Sequence, residues 1–224
     1  MTLRRRLFIS GPTSPNIVTS DLILYWDAND TNSYPGTGTT VYDISNSGTA
    51  YNGTFVNTIT YTTDNGYNVL GTNGSNSYIY NSAINLSSTN YTVMVGSRYT
   101  SVAGRLLNGS SNNWLLGHWD GNVNMYYAEG WVSPTSGGGD TNWRIYTGTG
   151  NIGSDSYQLY SNNSLSASNS GGSQGPNGLF FGRRGYSVGE WGAGYLSFLL
   201  VYNRVLTTEE MTQNYNAFKD RFGI

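Results

Sequence analysis

Short apolar segments separated by turn-forming residues run the length of this chain, and they leave no room for the helices that a parallel α/β sheet requires. Leu22, Leu24 and Trp26 alternate with Ile23, Tyr25 and Asp27. Tyr91-Thr92-Val93-Met94-Val95 alternates in the same way, and Val123, Met125 and Tyr127 share one face of a further segment. Clusters of Gly, Asn, Ser, Thr and Pro stand between them, as in Tyr34-Pro35-Gly36 and across residues 133–140. A side-chain period of two marks a strand with distinct faces, and the turn clusters mark where it stops. About a dozen short strands at intervals of roughly 10–15 residues predict a β-sandwich or barrel. A βαβ crossover needs a dozen or more residues, usually helical, between strands, and no such run occurs here. Residues 22–26 are apolar on both faces, which predicts a strand near the middle of a sheet.

Composition supports this reading. Charged residues make up 11% of the chain, against about 25% in an ordinary domain. Exposed helices are usually surfaced with Glu, Lys and Arg, so their scarcity beside abundant Thr and Tyr favours strands. Aromatic residues reach 14%, including 19 tyrosines and 6 tryptophans. The core must therefore be built from rings as well as Leu, Ile and Val. A formal net charge of −2 creates no global field for nucleic acid. The chain has no cysteine, which excludes disulfides, thiolate metal sites and a Cys nucleophile. No apolar run approaches about 18 residues, so no membrane span is expected.

One helix is specified near the C-terminus. Thr207-Thr208-Glu209-Glu210 is a capping box, and Leu206 and Met211 stand at the two positions of a hydrophobic staple. Met211, Tyr215, Phe218 and Phe222 recur on one helical stripe. Lys219 and Arg221 suit the negative end of the helix dipole. The stripe is expected to cover an end or edge of the sandwich.

Residues 1–20 are read as an extended basic arm ahead of a sandwich at 21–224. Arg4, Arg5 and Arg6 precede only Leu7, Phe8 and Ile9, too short an apolar run for a secretory signal. Gly11-Pro12-Thr13-Ser14-Pro15 then breaks regular structure. The arm is either a solvated tail or a partner-binding segment anchored by Arg4, Arg5, Arg6, Leu7, Phe8 and Ile9. Three arginines alone are a weak basis for nucleic-acid binding.

Catalytic constellations are sparse. Glycosidases need two carboxyls about 5–10 Å apart. Glu129, Glu190, Glu209 and Glu210 are the only glutamates, and the last two serve the helix start. Glu129 and Glu190 each stand close to a tryptophan and a glycine and are the remaining pair that could meet across a cleft. His118 is the single histidine, and its neighbours Trp119 and Asp120 suggest a turn rather than a buried base. Asp27, Asp30, Asp43, Asp64 and Asp120 are scattered oxygen donors without an EF-hand pattern, so no cofactor is expected and calcium is a minor alternative to their use in Asx turns. Asp43 reads best as a turn-closing residue. Trp114, His118, Trp119, Asp120 and Asn122 form the densest group of aromatic and polar side chains and are the candidate glycan-binding residues. The competing reading is that such rings fill the core, as Trp26 is expected to do.

Two blocks carry a resemblance. The first is Asp21-Leu22-Ile23-Leu24-Tyr25-Trp26-Asp27-Ala28 with Val41-Tyr42-Asp43-Ile44-Ser45 and Tyr51-Asn52-Gly53-Thr54. The second runs from Gly194-Tyr195-Leu196-Ser197-Phe198-Leu199-Leu200-Val201-Tyr202-Asn203-Arg204-Val205-Leu206 into the capped helix. Together they resemble the concanavalin A-like, laminin-G-like domains of bacteriophage structural proteins, whereas residues 85–190 match only loosely. The resemblance implies an all-β, antiparallel two-sheet jelly-roll sandwich with a short C-terminal helix, whose first and last strands pair. It implies a non-enzymatic virion protein, a capsid decoration or a neck- or tail-associated component, docking on major capsid or other virion proteins through the arm and open to homo-oligomerisation. A lectin-like carbohydrate-binding module is the alternative, and a glycan hydrolase ranks behind both.

Overall fold

Aromatic side chains on many short strands need a second layer to cover them, and here two stacked sheets provide it. The computed structural model describes residues 15–134 and 137–224; Arg4, Arg5, Arg6, Leu7, Phe8 and Ile9 lie outside them. The strands are β1 (Leu22–Asp27), β2 (Thr40–Val41), β3 (Gly53–Val56), β4 (Thr60–Asp64), β5 (Tyr67–Asn73), β6 (Tyr78–Asn85), β7 (Tyr91–Ser101), β8 (Arg105–Asn108), β9 (Trp114–Trp119), β10 (Asn122–Ala128), β11 (Arg144–Asn151), β12 (Ser156–Ser161), β13 (Ser164–Asn169), β14 (Asn177–Phe181) and β15 (Ala193–Tyr202), followed by helix α1 (Thr208–Phe218). Sheet A has the order β13-β12-β11-β7-β15-β5-β4, with β1 also paired to β15. Sheet B has the order β10-β9-β8-β14-β6-β3-β2. The strand pairings are antiparallel, so the predicted two-sheet sandwich with a short terminal helix is the observed fold.

Inward-facing residues of the two sheets form one core that includes Leu24, Trp26, Leu70, Tyr91, Val95, Trp114, Leu116, Tyr126, Tyr146 and Leu199. Buried rings need partners for their polar tips. Tyr91 Oη and Tyr126 Oη lie 2.6 Å apart, Trp114 Nε1 donates to Tyr91 Oη at 3.1 Å, and Tyr126 Oη donates to the Thr149 carbonyl at 3.0 Å. Burial pushes both tyrosine pKa values upward, so they remain neutral donors. Trp26 is buried as expected, its Nε1 donating to the Tyr51 carbonyl at 2.9 Å.

The first and last strands pair, with Tyr25 opposite Leu200 and Trp26 opposite Leu199. β1 is nonetheless not a mid-sheet strand. It pairs with β15 alone, and the loop after β2 covers its free edge: Tyr25 N donates to Asp43 Oδ1 at 2.8 Å and Ile44 N to the Tyr25 carbonyl at 3.0 Å. Its two apolar faces come from layers on both sides, not from strands on both edges. Leu24 and Trp26 face sheet B, whereas Leu22 and Tyr25 face a second core on the outside of sheet A.

Helix α1 builds that second core. Its stripe covers the outer face of sheet A, not an end or edge of the sandwich: Met211, Phe218 and Phe222 pack with Tyr25, Trp143, Phe198, Leu200 and Tyr202. The Phe198 and Phe218 rings stack 3.7 Å apart, and Trp143 stacks on Phe222 at 4.6 Å. A face carrying Phe198, Leu200 and Tyr202 cannot remain in water, and the nearest apolar cover in sequence is the helix that follows β15. The capping box forms as expected. Glu210 N donates to Thr207 Oγ1 at 3.3 Å, and Thr207 N donates to Glu210 Oε2 at 2.9 Å. The Arg204 guanidinium, and then the cap N–H, hold the Glu210 carboxyl down to about 2. We expect Thr207→Ala to lower stability by about 1 kcal/mol in urea unfolding, with no change in the slope of the transition. The α-helix ends at Phe218 and tightens into a 3₁₀ turn, Lys219–Arg221.

Residues 15–20, which the sequence places in the arm, lie along this layer. Val18 N donates to Asn214 Oδ1 at 2.8 Å, and Tyr202 Oη donates to the Val18 carbonyl at 2.8 Å. No helix among the described residues is long and apolar enough to cross a membrane.

Candidate functional site

Strand alternation gives sheet B an outer face that the helix does not cover. Arg105 on β8 stands directly opposite Trp119 on β9 and, on its other side, opposite Trp191. Residues directly opposite one another share a face, so the three form one cross-strand row. Phe180 on β14 stands between Tyr80 on β6 and Asn108 on β8 in a second row. The Tyr78 and Phe180 rings stack at 5.2 Å, Tyr80 lies 5.5 Å from Phe180, and Tyr78 lies 6.1 Å from Trp191. At the other end Trp119 is 5.1 Å from Trp131, which is 5.0 Å from Tyr127. Tyr78, Tyr80, Trp119, Tyr127, Trp131 and Trp191 are all half-buried. Six partly exposed rings grouped on one face make it the candidate contact surface of the molecule.

Charged groups run through the aromatics. Arg105 is only 3% exposed; its Nε donates to Glu190 Oε2 at 2.6 Å and its Nη1 to Asn113 Oδ1 at 2.7 Å. Glu190 also accepts from Trp119 Nε1 at 3.2 Å and from Arg184 Nη1 at 2.8 Å. Asn113 N donates to Glu129 Oε1 at 2.5 Å. Glu190, Arg105, Asn113 and Glu129 thus form a continuous polar chain across the face. Both glutamates have left-handed backbones, with φ 48° at Glu190 and 57° at Glu129, a conformation that L-residues rarely adopt. Gly104 permits the approach: a Cβ there would lie 2.0 Å from the Trp191 carbonyl oxygen, and the segment could not then hydrogen-bond Arg105 N to the Glu190 carbonyl.

The face thus combines flat apolar surfaces with fixed donors and acceptors. The C–H face of a sugar ring can stack on the former while its hydroxyls bond the latter. No protein-family model matches this chain, and no curated protein matches it in sequence. Solved structures do. Domain 4 of AbnA, a GH43 extracellular arabinanase from Geobacillus stearothermophilus solved in complex with arabinotriose, superposes with a TM-score of 0.63 at 17% identity, covering 87% of this chain and 98% of that domain. The binding domain of Paraclostridial Mosquitocidal Protein 1 gives 0.60 at 17% identity over 88% of this chain, and Trypanosoma rangeli sialidase in complex with sialic acid gives 0.61 at 12% identity over 91%. The fold is a jelly-roll sandwich of the concanavalin A-like kind. This chain spans 53% of the mosquitocidal structure and 34% of the sialidase, and at such identities the likeness carries the fold alone.

The structure separates the five candidate glycan-binding residues. Trp119 lies on the outer face, and Asn122, its direct partner across the hairpin, lies with it. Asp120 is exposed at the hairpin tip with φ 48°, followed by Gly121 at 76°, the left-handed pair that a two-residue turn demands. Trp114 and His118 point the other way and are completely buried. An extra residue at Gly117–His118 shifts the pairing of β9 with β8, and it sets the imidazole edge-on to Tyr99 at 4.6 Å and to Tyr146 at 5.2 Å. Neither ring nitrogen has a partner, and burial pushes the pKa down to about 3. His118 is a neutral core ring within β9, not the turn residue that Trp119 and Asp120 beside it suggested.

The aspartates are engaged elsewhere. Asp27 binds Arg221, Asp64 binds Arg98, and Asp43 closes its turn onto Ser45 and Ser47, the role its sequence context suggested. Among the described residues no three His, Cys, Asp or Glu side chains group as metal ligands. Glu129 and Glu190 do share a face, but through Arg105 and Asn113. Arg105, Phe180 and Tyr78 were not legible as site residues, because the site is assembled from β6, β8, β9, β10 and β14 with the segment before β15. The one local hint is the alternation Tyr78-Ile79-Tyr80, whose tyrosines face outward around a buried isoleucine.

Proposed function

We propose that this chain is a carbohydrate-binding module whose ligand lies on the outer face of sheet B. The observation that carries the reading is the row Trp119–Arg105–Trp191, two half-buried indoles flanking a fixed arginine–glutamate pair. The three neighbouring structures support it, since they are an arabinanase domain in complex with arabinotriose, a mosquitocidal protein's binding domain and a sialidase in complex with sialic acid. The face binds without cleaving in this reading. Both oxygens of Glu190 are taken by Arg105, Trp119 and Arg184, which leaves that carboxylate organising the surface rather than reaching a glycosidic oxygen. A place on a virion, reached through Arg4, Arg5, Arg6, Leu7, Phe8 and Ile9, rests on the resemblance alone.

A glycan array that includes arabino-oligosaccharides and sialylated glycans tests the proposal, followed by calorimetric titration of each hit. Trp119→Ala and Trp191→Ala should each weaken binding about tenfold or more, because truncating an aromatic anchor typically removes 2 kcal/mol or more. Leu165→Ala, an exposed side chain on the edge strand β13 of sheet A, should leave affinity unchanged. Full affinity in both tryptophan variants would reject the face as the binding site.

A further inference from the structure

Among the described residues, Arg98, Arg105, Arg144, Arg184, Arg204 and Arg221 each bind a carboxylate. Arg183 binds none. Its guanidinium lies over three rings of the same outer face, 4.4 Å from Tyr78, 5.0 Å from Phe180 and 5.4 Å from Trp191. Its Nε is buried without a partner. A cation held against ring faces is stabilised by the quadrupoles beneath it, but its in-plane N–H groups still require acceptors.

Arg183 is also held in place. The fully buried Asn108 donates from Nδ2 to the Arg183 carbonyl at 2.6 Å and accepts from Gly185 N at 2.8 Å. Both ends of the turn are thereby tied to β8, with Arg183 directed over the rings and Arg184 directed to Glu190. The face carries three arginines, Arg105, Arg183 and Arg184, against two carboxylates, Glu129 and Glu190, on a chain whose formal net charge is −2. The local excess of positive charge belongs to Arg183.

Resting on the carbohydrate-binding reading, we infer that the ligand is an acidic glycan and that Arg183 receives its acid group. A planar guanidinium matches a carboxylate or a sulfate in two-point geometry. The rings beneath it fix the guanidinium and shield one side of it from water, which strengthens the ion pair.

Isothermal titration of the intact chain tests this with tetragalacturonate, its methyl ester and a sulfated galactan tetramer, each at low and high salt. The ester keeps the sugar skeleton and removes the charge. We expect the ester to bind about tenfold or more weaker than the free acid, and added salt to weaken the acid but not the ester. Arg183→Met should lose about the same factor against the acid, bringing acid and ester to similar affinities, and should remove the salt dependence. Should that variant melt early, the acid-to-ester ratio and the salt dependence of the unmodified chain decide. Tighter binding of the sulfated tetramer would assign the subsite to sulfate and support the inference. Equal binding of acid and ester, independent of salt, would overturn the acidic ligand while leaving the module reading intact. So would failure of all three probes beside a neutral hit on the array. No binding to these probes or to any glycan on the array would overturn both.

Discussion

Replacing Arg221 with methionine is expected to cost about 3–5 kcal/mol of stability, a large share of the roughly 5–15 kcal/mol that holds a typical domain. Arg221 Nη1 and Nη2 bind Asp27 Oδ1 and Oδ2 at 2.7 and 2.8 Å, and Asp27 is 1% exposed. Tyr25 Oη and Asn29 N also donate to that carboxylate, at 2.8 and 2.9 Å. Without the guanidinium a buried anion would keep only these two neutral donors. The contact also fastens the last turn of the chain to the end of its first strand, so its loss loosens the helical layer over sheet A. Urea unfolding measures the effect, and the melting temperature should fall by roughly 8–15 °C. The double variant Asp27→Leu, Arg221→Met should recover part of the loss, because it removes both charges and leaves only the neutral donors unpaired. A single variant within about 1 kcal/mol of the parent would show that the pair contributes little.

Acid should destabilise the fold through His118. Its folded pKa is about 3 and an unfolded histidine titrates near 6.5. Between these values the unfolded chain binds a proton that the folded chain refuses, so stability is full above about 6.5 and falls as pH drops towards 3. The slope is about 1.4 kcal/mol per pH unit, which amounts to about 2.5–3 kcal/mol at pH 4.5. The packing against Tyr99 and Tyr146 offers neither a carboxylate nor a hydroxyl bonded to the imidazole; the charges that act on it at longer range are Arg144, which opposes protonation, and Asp140, which favours it. His118→Leu should remove this dependence, and it should be no less stable at neutral pH because two unpaired buried nitrogens disappear with the ring. Unfolding of both proteins from pH 4 to 7 isolates the term. Asp140 and Glu210, held down to about 2 by Arg144 and Arg204, lose their contributions only at lower pH. Parallel stability curves for parent and variant would reject the assignment.

Much of the fold was legible residue by residue. The alternation at 91–95 and 22–26, the turn clusters and the Thr207–Glu210 capping box are local patterns. Each depends on backbone geometry within a few residues, and among the described residues the structure departs from them at Leu22, which the bulge before Leu24 turns to the outer face of sheet A. The position of β1 was not legible, because a strand apolar on both faces looks the same whether strands flank it or layers cover it. The candidate site was legible only in part for a related reason. Trp114 and Trp119 stand five residues apart on one strand, and strict alternation would place them on opposite faces. They do lie on opposite faces, with Trp114, Leu116 and His118 inward and Trp119 outward, but which of the two faces meets the other sheet is set by packing between sheets and not by the local pattern. Of the six tryptophans, the structure buries Trp26, Trp114 and Trp143 and leaves Trp119, Trp131 and Trp191 half-buried on one face.

By itself, then, the amino-acid order determined an antiparallel all-β chain closed by a capped aromatic helix, because strand period, turn chemistry and capping are short-range properties. Only the tertiary structure decided which rings fill the core, that the helix covers sheet A, and that Arg105, Arg183, Glu190 and three tryptophans share the face left open on sheet B. Those outcomes depend on pairing register between strands up to about 180 residues apart, where a one-residue offset moves a side chain from the core to the surface.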